Sequence, residues 1–404
     1  MVFYLAGAVI FTYGHGFQAG ENVTLMAAVC LSAGALGTSI AARAMRKMYP
    51  RNYIASNLSG WSSGSIENVF LRCGFLISVL VCVLFSALVL ASSGTAALIS
   101  AMSIFGGSET LLSLRKAITN GTEGYFAPGF VKQFRDILFP IFLIAFMVKA
   151  SRRKPQLFQK VYLWLGTLIV IVAMLITGVR SNLVLFFACI LTAQLMLKKI
   201  RKPDFGSARL PRKRGRSPLV LLIFALFSYG TLSVLLGRIS TETSIWRVAY
   251  SVIENLIDRI IVTVPRENIQ VYFFWKEIGV TNGAYWLEML VGILPGVGSQ
   301  TLANMLHSIN GGSSQGNSSL GFPVEVWINF GWVGMFFWPP LFGFMLVVFD
   351  ALLTKIKSPI SVGIKITLGV ALLKVYSPFG FMLYGGGTSV ILYFCLKSIR
   401  GRTA

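Results

Sequence analysis

Leu320-Gly-Phe-Pro-Val-Glu-Val-Trp-Ile-Asn-Phe-Gly-Trp-Val-Gly334 closes a long polar segment and opens an apolar run that continues to Leu353. Its reading decides the fold. Pro323 stands where the first turn of a helix begins, a position that asks nothing of its missing N–H. Glu325 follows in that turn, and beyond it the run carries no charge until Asp350. A helix of this composition leaves a polar surface and enters a membrane. The segment it closes starts near Gly237 and carries Arg238, Arg247, Arg259, Arg266 and His307.

The same apolar character recurs along all 404 residues, which are 55% hydrophobic and 12% charged. With a mean hydropathy of +0.72, these values exclude an ordinary soluble domain. A net charge of +22 could suggest a nucleic-acid partner. Its distribution argues against one. Most of the Lys and Arg residues fall in loops on one side of the apolar runs, whereas most acids fall on the other. That is the asymmetry that orients membrane proteins, with the basic side cytoplasmic, and attraction to anionic lipid headgroups follows from it. All five cysteines (Cys30, Cys73, Cys82, Cys189, Cys395) sit in apolar runs, so the sequence offers no disulfide framework. The opening Met-Val-Phe-Tyr-Leu-Ala-Gly lacks the basic region and cleavage-like site of a removable signal peptide.

Taking the apolar runs in order predicts about ten membrane helices with both termini cytoplasmic. Val2–Tyr13 covers only about 20 Å of a core about 30 Å thick, so the first span continues to Phe17 or begins upstream. His15, in the turn that follows, reads as an interfacial histidine. Leu25–Ala42 returns inward to Arg43, Arg46, Lys47 and Arg51, and 52–69 reads as a polar cytoplasmic loop. Phe70–Ala91 exits, 92–134 forms an external loop whose charges are Arg115, Lys116, Lys132 and Arg135 against Glu109, Glu123 and Asp136, and Ile137–Val148 re-enters. Val161–Thr177 and Leu183–Leu197 make a hairpin around Thr177-Gly-Val-Arg-Ser-Asn182. The loop 198–217 is a dense run of Lys and Arg against Asp204, the strongest cytoplasmic anchor. Leu219–Leu236 then exits to the large external segment 237–323. Val324–Leu353, Ile360–Tyr376 and Leu383–Leu396 complete the chain, which reads as a single polytopic domain over 1–404.

The external segment has helical patterning of its own. Ile245, Val248, Val252, Leu256 and Ile260 recur at helical spacing, with Arg247, Ser251, Asp258 and Arg259 on the other side. Pro265 ends that pattern. Asn268–Glu277 and Ala284–Leu294 read as short interfacial helices, and the Gly- and Ser-rich 310–319 as a lid.

Arginines on the outer side suit a lipid-linked diphosphate, because guanidinium forks onto phosphate oxygens and stays charged. Arg180 is the sharpest candidate: it lies in a tight turn at the start of an inward helix, where backbone N–H groups also favour anions. The plain alternative is an arginine snorkelling from a helix end, and the same holds for Arg238. Arg247 and Arg259 share a helix face and either clamp phosphate or pair with Glu254 and Asp258. Arg266 and Lys374 complete the cationic set, although Lys365 reads as snorkelling inward. Transfer of a sugar to a hydroxyl needs a base. Glu325, Glu254, Asp258 and His307 are the candidates, with Glu325 equally suited to serve only as a helix-dipole partner. No Asp-x-Asp or His/Cys cluster appears at metal-ligand spacing, so the sequence calls for no metal and no cofactor.

Two motifs carry a family resemblance. Thr177-Gly-Val-Arg-Ser181 resembles a "TG-x-RS" between two mid-chain spans, and Pro-Val-Glu-Val-Trp-Ile-Asn-Phe-Gly-Trp-Val-Gly334 resembles an "E-x-x-x-NFG-x-x-G" closing a long external loop. Together with the span plan they resemble the O-antigen polymerases of the Wzy type and, more distantly, the O-antigen ligases. The resemblance implies an all-α, GT-C-like protein of the bacterial inner membrane with a large periplasmic helical loop. It further implies an inverting, metal-independent glycosyltransferase that polymerises undecaprenyl-pyrophosphate-linked repeat units. A chain-length regulator and a flippase would be its partners. In the ligases a histidine lies near the end of the corresponding loop, where His307 sits comparably.

A ligase differs in its acceptor. A flippase or transporter of the same lipid-linked oligosaccharide would instead show short loops, charges lining a central cavity and paired inverted halves. Here the charges collect outside the spans.

Overall fold

The computed structural model describes residues 18–46, 64–102, 128–151, 157–176, 180–200, 250, 254, 267–270, 279–291, 321–372 and 385–401. Every regular element among them is helical. In chain order they are α1 (Gln18–Arg46), α2 (Ser65–Met102), α3 (Pro128–Gln133), a π-helical turn (Phe134–Leu138) and α4 (Phe139–Ala150). There follow α5 (Leu157–Ile176), α6 (Arg180–Ile200), α7 (Ala284–Val291), α8 (Phe322–Lys355), α9 (Pro359–Ala371) and α10 (Gly387–Gly401).

Among the described residues four segments are long and apolar enough to cross a membrane: Thr24–Met45, Ser65–Val89, Leu157–Ile176 and Phe322–Lys355. Asn182–Leu197 and Pro359–Ala371 are shorter apolar helices. On α2, Leu76, Leu80, Leu84 and Leu88 are exposed at helical spacing, and on α5 so are Phe158, Trp164, Leu165 and Leu168. Exposed apolar stripes of that length suit hydrocarbon rather than water.

The chain divides into two compact units. The first comprises Met1–Tyr53, Tyr250–Leu352 and Lys374–Leu383. Its core joins Met26, Ala27 and Cys30 of α1, Ile269, Trp286 of α7, and Val324, Val326, Ile328 and Met335 of α8. Backbones of α1 and α8 approach closely where Gly37 faces Pro340: a Cβ on that glycine would run into the proline backbone.

The second unit comprises Ile54–Ala249, Leu353–Leu373 and Tyr384–Ala404. At its centre lies α4, apolar all round and buried from Phe139 through Phe146, as a helix with no polar face must be. Phe75 of α2 packs on Phe139 (5.1 Å), Phe146 (5.4 Å) and Tyr162 (4.9 Å). Gly363 of α9 meets the backbone of Ile141 in α4, so these two helices run in direct contact. Glu67, in the first turn of α2, is 3% exposed. It accepts hydrogen bonds from Ser358 and from Arg400 Nη2 (3.1 Å), and Arg400 also donates to Lys357 O (2.5 Å). One carboxylate thereby ties the start of α2, the turn before α9 and the end of α10.

Several sequence boundaries shift. The helix α2 begins at Ser65, inside the stretch read as a cytoplasmic loop, and runs to Met102, inside the stretch read as an external loop. Glu67 draws its first turn into the protein. Likewise α3 starts at Pro128 and continues through the π turn into α4, so the returning segment is longer than Ile137–Val148. Lys365 is half-buried and donates to Thr354 Oγ1. Val2–Tyr13, Leu219–Leu236, the lid 310–319 and the loop 198–217 (save Lys198, Lys199 and Ile200 of α6) lie outside the described residues.

Candidate active site

The motif that opens the sequence reading becomes the head of α8. Asn268 Oδ1 accepts the Gly321 N–H at 2.6 Å, and Gly321 O accepts the Glu325 N–H at 3.0 Å. The chain therefore enters the helix fixed on both sides, with Pro323 in the first turn. Glu325 is 4% exposed, and its Oε1 accepts the indole Nε1–H of Trp286 at 2.9 Å. The Trp286 ring is held in turn by Phe330 (4.9 Å) and Trp338 (4.7 Å). One turn after Glu325, Asn329 Nδ2 donates to Glu325 O at 2.9 Å. Its own Oδ1 is buried with no hydrogen-bond partner among the described residues, a condition that costs about 1–3 kcal/mol.

Gly331 breaks this helix, with φ 60 and ψ −154, a combination open essentially to glycine alone. In an unbroken helix Ile328 O and Asn329 O would accept the N–H groups four residues on. The break turns those donors away. The segment before α7 supplies replacements: Thr281 N–H to Ile328 O (3.0 Å) and Gly283 N–H to Asn329 O (2.9 Å), with Thr281 Oγ1 also on Ile328 O (3.2 Å). Asn282 between them adopts φ 52. Thus the Asn329-Phe-Gly331 triplet supplies a side-chain bond to Glu325, an aromatic support for Trp286 and the kink.

The kink also divides α8 into a short head and a long apolar remainder. From 332 to 355 the helix is about 36 Å long at 1.5 Å per residue, enough by itself to cross a core of about 30 Å. The roughly two and a half turns before it, which carry Glu325, are then free to lie outside the hydrocarbon.

In the second unit, Arg180 is the first residue of α6. Two residues on, Asn182 is buried and its Nδ2 donates to Asp136 Oδ2 at 2.7 Å. Asp136 is also gripped by Arg135, Nε to Oδ1 at 2.6 Å and Nη2 to Oδ2 at 2.9 Å. Arg135 Nη1 reaches Ala173 O in the last turn of α5 at 3.4 Å. The sequence reading took Arg135 and Asp136 as ordinary loop charges. Their burial follows from the π turn, which precedes Pro140: lacking an N–H, that proline cannot serve the Asp136 carbonyl, and the backbone widens ahead of it. The proline four residues after an Arg–Asp pair was the available signal.

Of the remaining candidates, Glu254 is helical and exposed. Arg238, Arg247, Asp258, Arg259, Arg266, His307 and Lys374 lie outside the described residues. Among the described residues no group of three His, Cys, Asp or Glu side chains comes together. Trp286 and Asn268, which hold Glu325 and its approach, carried no signal beyond their place in predicted interfacial helices.

Comparison with protein-family models, curated proteins and solved structures gives no match to this chain. Fold and site therefore stand on their own: among the described residues every regular element is helical, and four helices are apolar and of membrane-crossing length.

Proposed function

We propose that this protein is an inverting membrane glycosyltransferase of the O-antigen polymerase type. The observation that carries the reading is Glu325: a carboxylate buried at the head of a kinked apolar helix, oriented by Trp286, within the Glu-x-x-x-Asn-Phe-Gly sequence that carries the family resemblance. A base at that position takes the proton of an acceptor hydroxyl. The hydroxyl oxygen forms a bond to the anomeric carbon of the donor from the face opposite its diphosphate, and the carbon–oxygen bond to that diphosphate breaks. The electron pair leaves on the phosphate oxygen, whose charge a guanidinium offsets, and Arg180 is the first candidate for that role by the family resemblance. Arg238, Arg247, Arg259, Arg266 and Lys374 supply further positive charge along the lipid-linked substrate, and Glu254, Asp258 and His307 are the alternative bases.

In this reading the substrate is an undecaprenyl-pyrophosphate-linked oligosaccharide at the outer face of the bacterial inner membrane, within a GT-C-like arrangement of about ten spans. The remaining spans, the external loop and the chain-length and flippase partners belong to the same proposal. Deleting the gene and separating surface glycans on a gel tests it. Loss of a polymerase leaves a single repeat unit on the core. Unattached lipid-linked polymer would instead indicate a ligase, and absence of any repeat a flippase.

A further inference from the structure

In the first unit two buried side-chain atoms lack a hydrogen-bond partner among the described residues: Asn329 Oδ1, on the head of α8, and Thr24 Oγ1, on α1. The amide of Asn329 has no better orientation. Its Nδ2 donates to Glu325 O, and a flip would set two acceptors face to face.

Helix register brings the two residues to one level. Cys30 Sγ of α1 lies 3.6 Å from Met335 Sδ of α8, a separation of 305 in sequence. Gly34 faces Pro339, at the same separation, and Gly37 faces Pro340. Residue numbers rise together along both helices, so α1 and α8 run parallel. Carried back from Cys30 to Thr24, the offset falls on Asn329. Gly331 bends α8 on the way, yet Met26 and Ala27 share a core with Val324, Val326 and Ile328, so α1 keeps to the head of α8 past the bend. Thr24 continues the face of α1 made by Ala27, Cys30, Gly34 and Gly37, which recur at helical spacing. As a residue Thr24 is only half-buried, and it opens the membrane-crossing stretch of α1. The pair therefore belongs to the rim of the packed core, with Glu325 one turn before Asn329 on the same helix.

A hydroxyl and an amide oxygen buried without partners weaken the fold, and valine in place of threonine would remove part of that cost with little change of shape. What the arrangement offers is complementarity. Thr24 supplies an O–H donor and Asn329 an acceptor, and one guest hydroxyl can accept from the first while donating to the second. Such a pair discriminates, because a ligand without that hydroxyl leaves both groups unsatisfied.

We propose that Thr24 Oγ1 and Asn329 Oδ1 form a subsite for a single sugar hydroxyl beside Glu325. Both are specificity residues. The inference rests on the reading of Glu325 as the base, and it names what the acceptor sugar carries besides the hydroxyl that reacts: a second, free hydroxyl.

The test uses the full-length protein in lipid nanodiscs. The probe is the lipid-linked repeat unit extracted from cells lacking the gene, and sugarless undecaprenyl monophosphate is the control. Thr24→Val should leave the ligand-free thermal midpoint unchanged or higher and weaken probe binding by about tenfold, with no change for the control lipid. Thr24→Ser, which restores the hydroxyl, should bind the probe as wild type does. Asn329→Ala combined with Thr24→Val should lose less affinity than the two single losses multiplied, since both act on one hydroxyl. A lower ligand-free midpoint in Thr24→Val would show that the hydroxyl already has a resident partner, such as a structural water, and overturns the subsite. So does wild-type affinity in Thr24→Val, an equal loss in Thr24→Ser, or strict additivity with Asn329→Ala. If Asn329→Ala fails to fold, the Val and Ser variants at Thr24 decide alone. Glycan elongation by wild type together with full affinity in Thr24→Val removes the subsite and leaves the polymerase reading. The expected binding pattern in a protein that extends no glycan removes the polymerase reading and leaves the subsite. Wild-type protein that does not bind the probe removes both.

Discussion

Trp286 donates its indole N–H to Glu325 across 2.9 Å, with both side chains withdrawn from solvent. The two residues come from separate elements, a short helix in the segment preceding residue 310 and the head of α8. Their bond is what joins that segment to the carboxylate. Phe330 and Trp338 wall the indole in, leaving the ring little freedom to point its N–H elsewhere.

Trp286→Phe removes the donor and keeps most of the aromatic packing. Leaving the buried carboxylate oxygen short of one donor costs about 1–3 kcal/mol. If the protein elongates glycans as proposed, we expect a loss of about tenfold or more in the elongation rate, read on purified protein with lipid-linked repeat units. A variant that matches wild type would show that Glu325 needs no help from the indole.

Gly331 is a backbone requirement. Gly331→Ala forces a side chain into a conformation that costs about 1–3 kcal/mol, with its Cβ 3.2 Å from Val280 Cγ2. The thermal midpoint in detergent should fall. Gly369→Ala is the control, since that glycine lies within α9 and a Cβ there meets nothing within 4 Å. Alanine inside a helix should raise stability by about 0.5–1 kcal/mol. Equal effects from both substitutions would contradict the kink.

Glu67 and Arg400 form the tie at the other end of the second unit. Arg400→Ala strands a nearly buried carboxylate, although the partly exposed guanidinium moderates the loss to about 1–3 kcal/mol. Adding Glu67→Gln should return part of it. A double-mutant cycle on the thermal midpoint measures the coupling, and strict additivity would show that the pair contributes nothing specific.

Much of this fold is legible in the apolar runs. The helices α1, α5, α6, α9 and α10 each contain most of the stretch that hydropathy marks, because a lipid-facing helix must be apolar almost everywhere and is bounded by Lys and Arg. The start of α2 was not legible. Ser65-Ile-Glu-Asn-Val69 reads as loop, and it is Ser358 and Arg400, 291 and 333 residues away in sequence, that make Glu67 a buried group. Pairings at that separation leave no local trace. The Gly331 kink hides for a related reason: a glycine within an apolar run is compatible with a straight helix, and the donors that replace its lost hydrogen bonds lie in the segment around Thr281. At the candidate site, Glu325 and the start of a helix at Arg180 were readable from motif and turn. Trp286, which bonds Glu325, and the Asn182–Asp136 contact beside the start of α6 were not, because such pairings are a property of the packed chain.

The account turns on Glu325 acting as base in a reaction that takes no divalent ion. The most direct measurement is elongation of undecaprenyl-pyrophosphate-linked repeat units by purified protein in excess chelator, wild type beside Glu325→Gln. Wild type should extend the chain, and the variant should be slower by about 10²–10⁴ with its thermal midpoint little changed. Elongation by Glu325→Gln at the wild-type rate, or a wild-type enzyme silent until a divalent metal is restored, would contradict it.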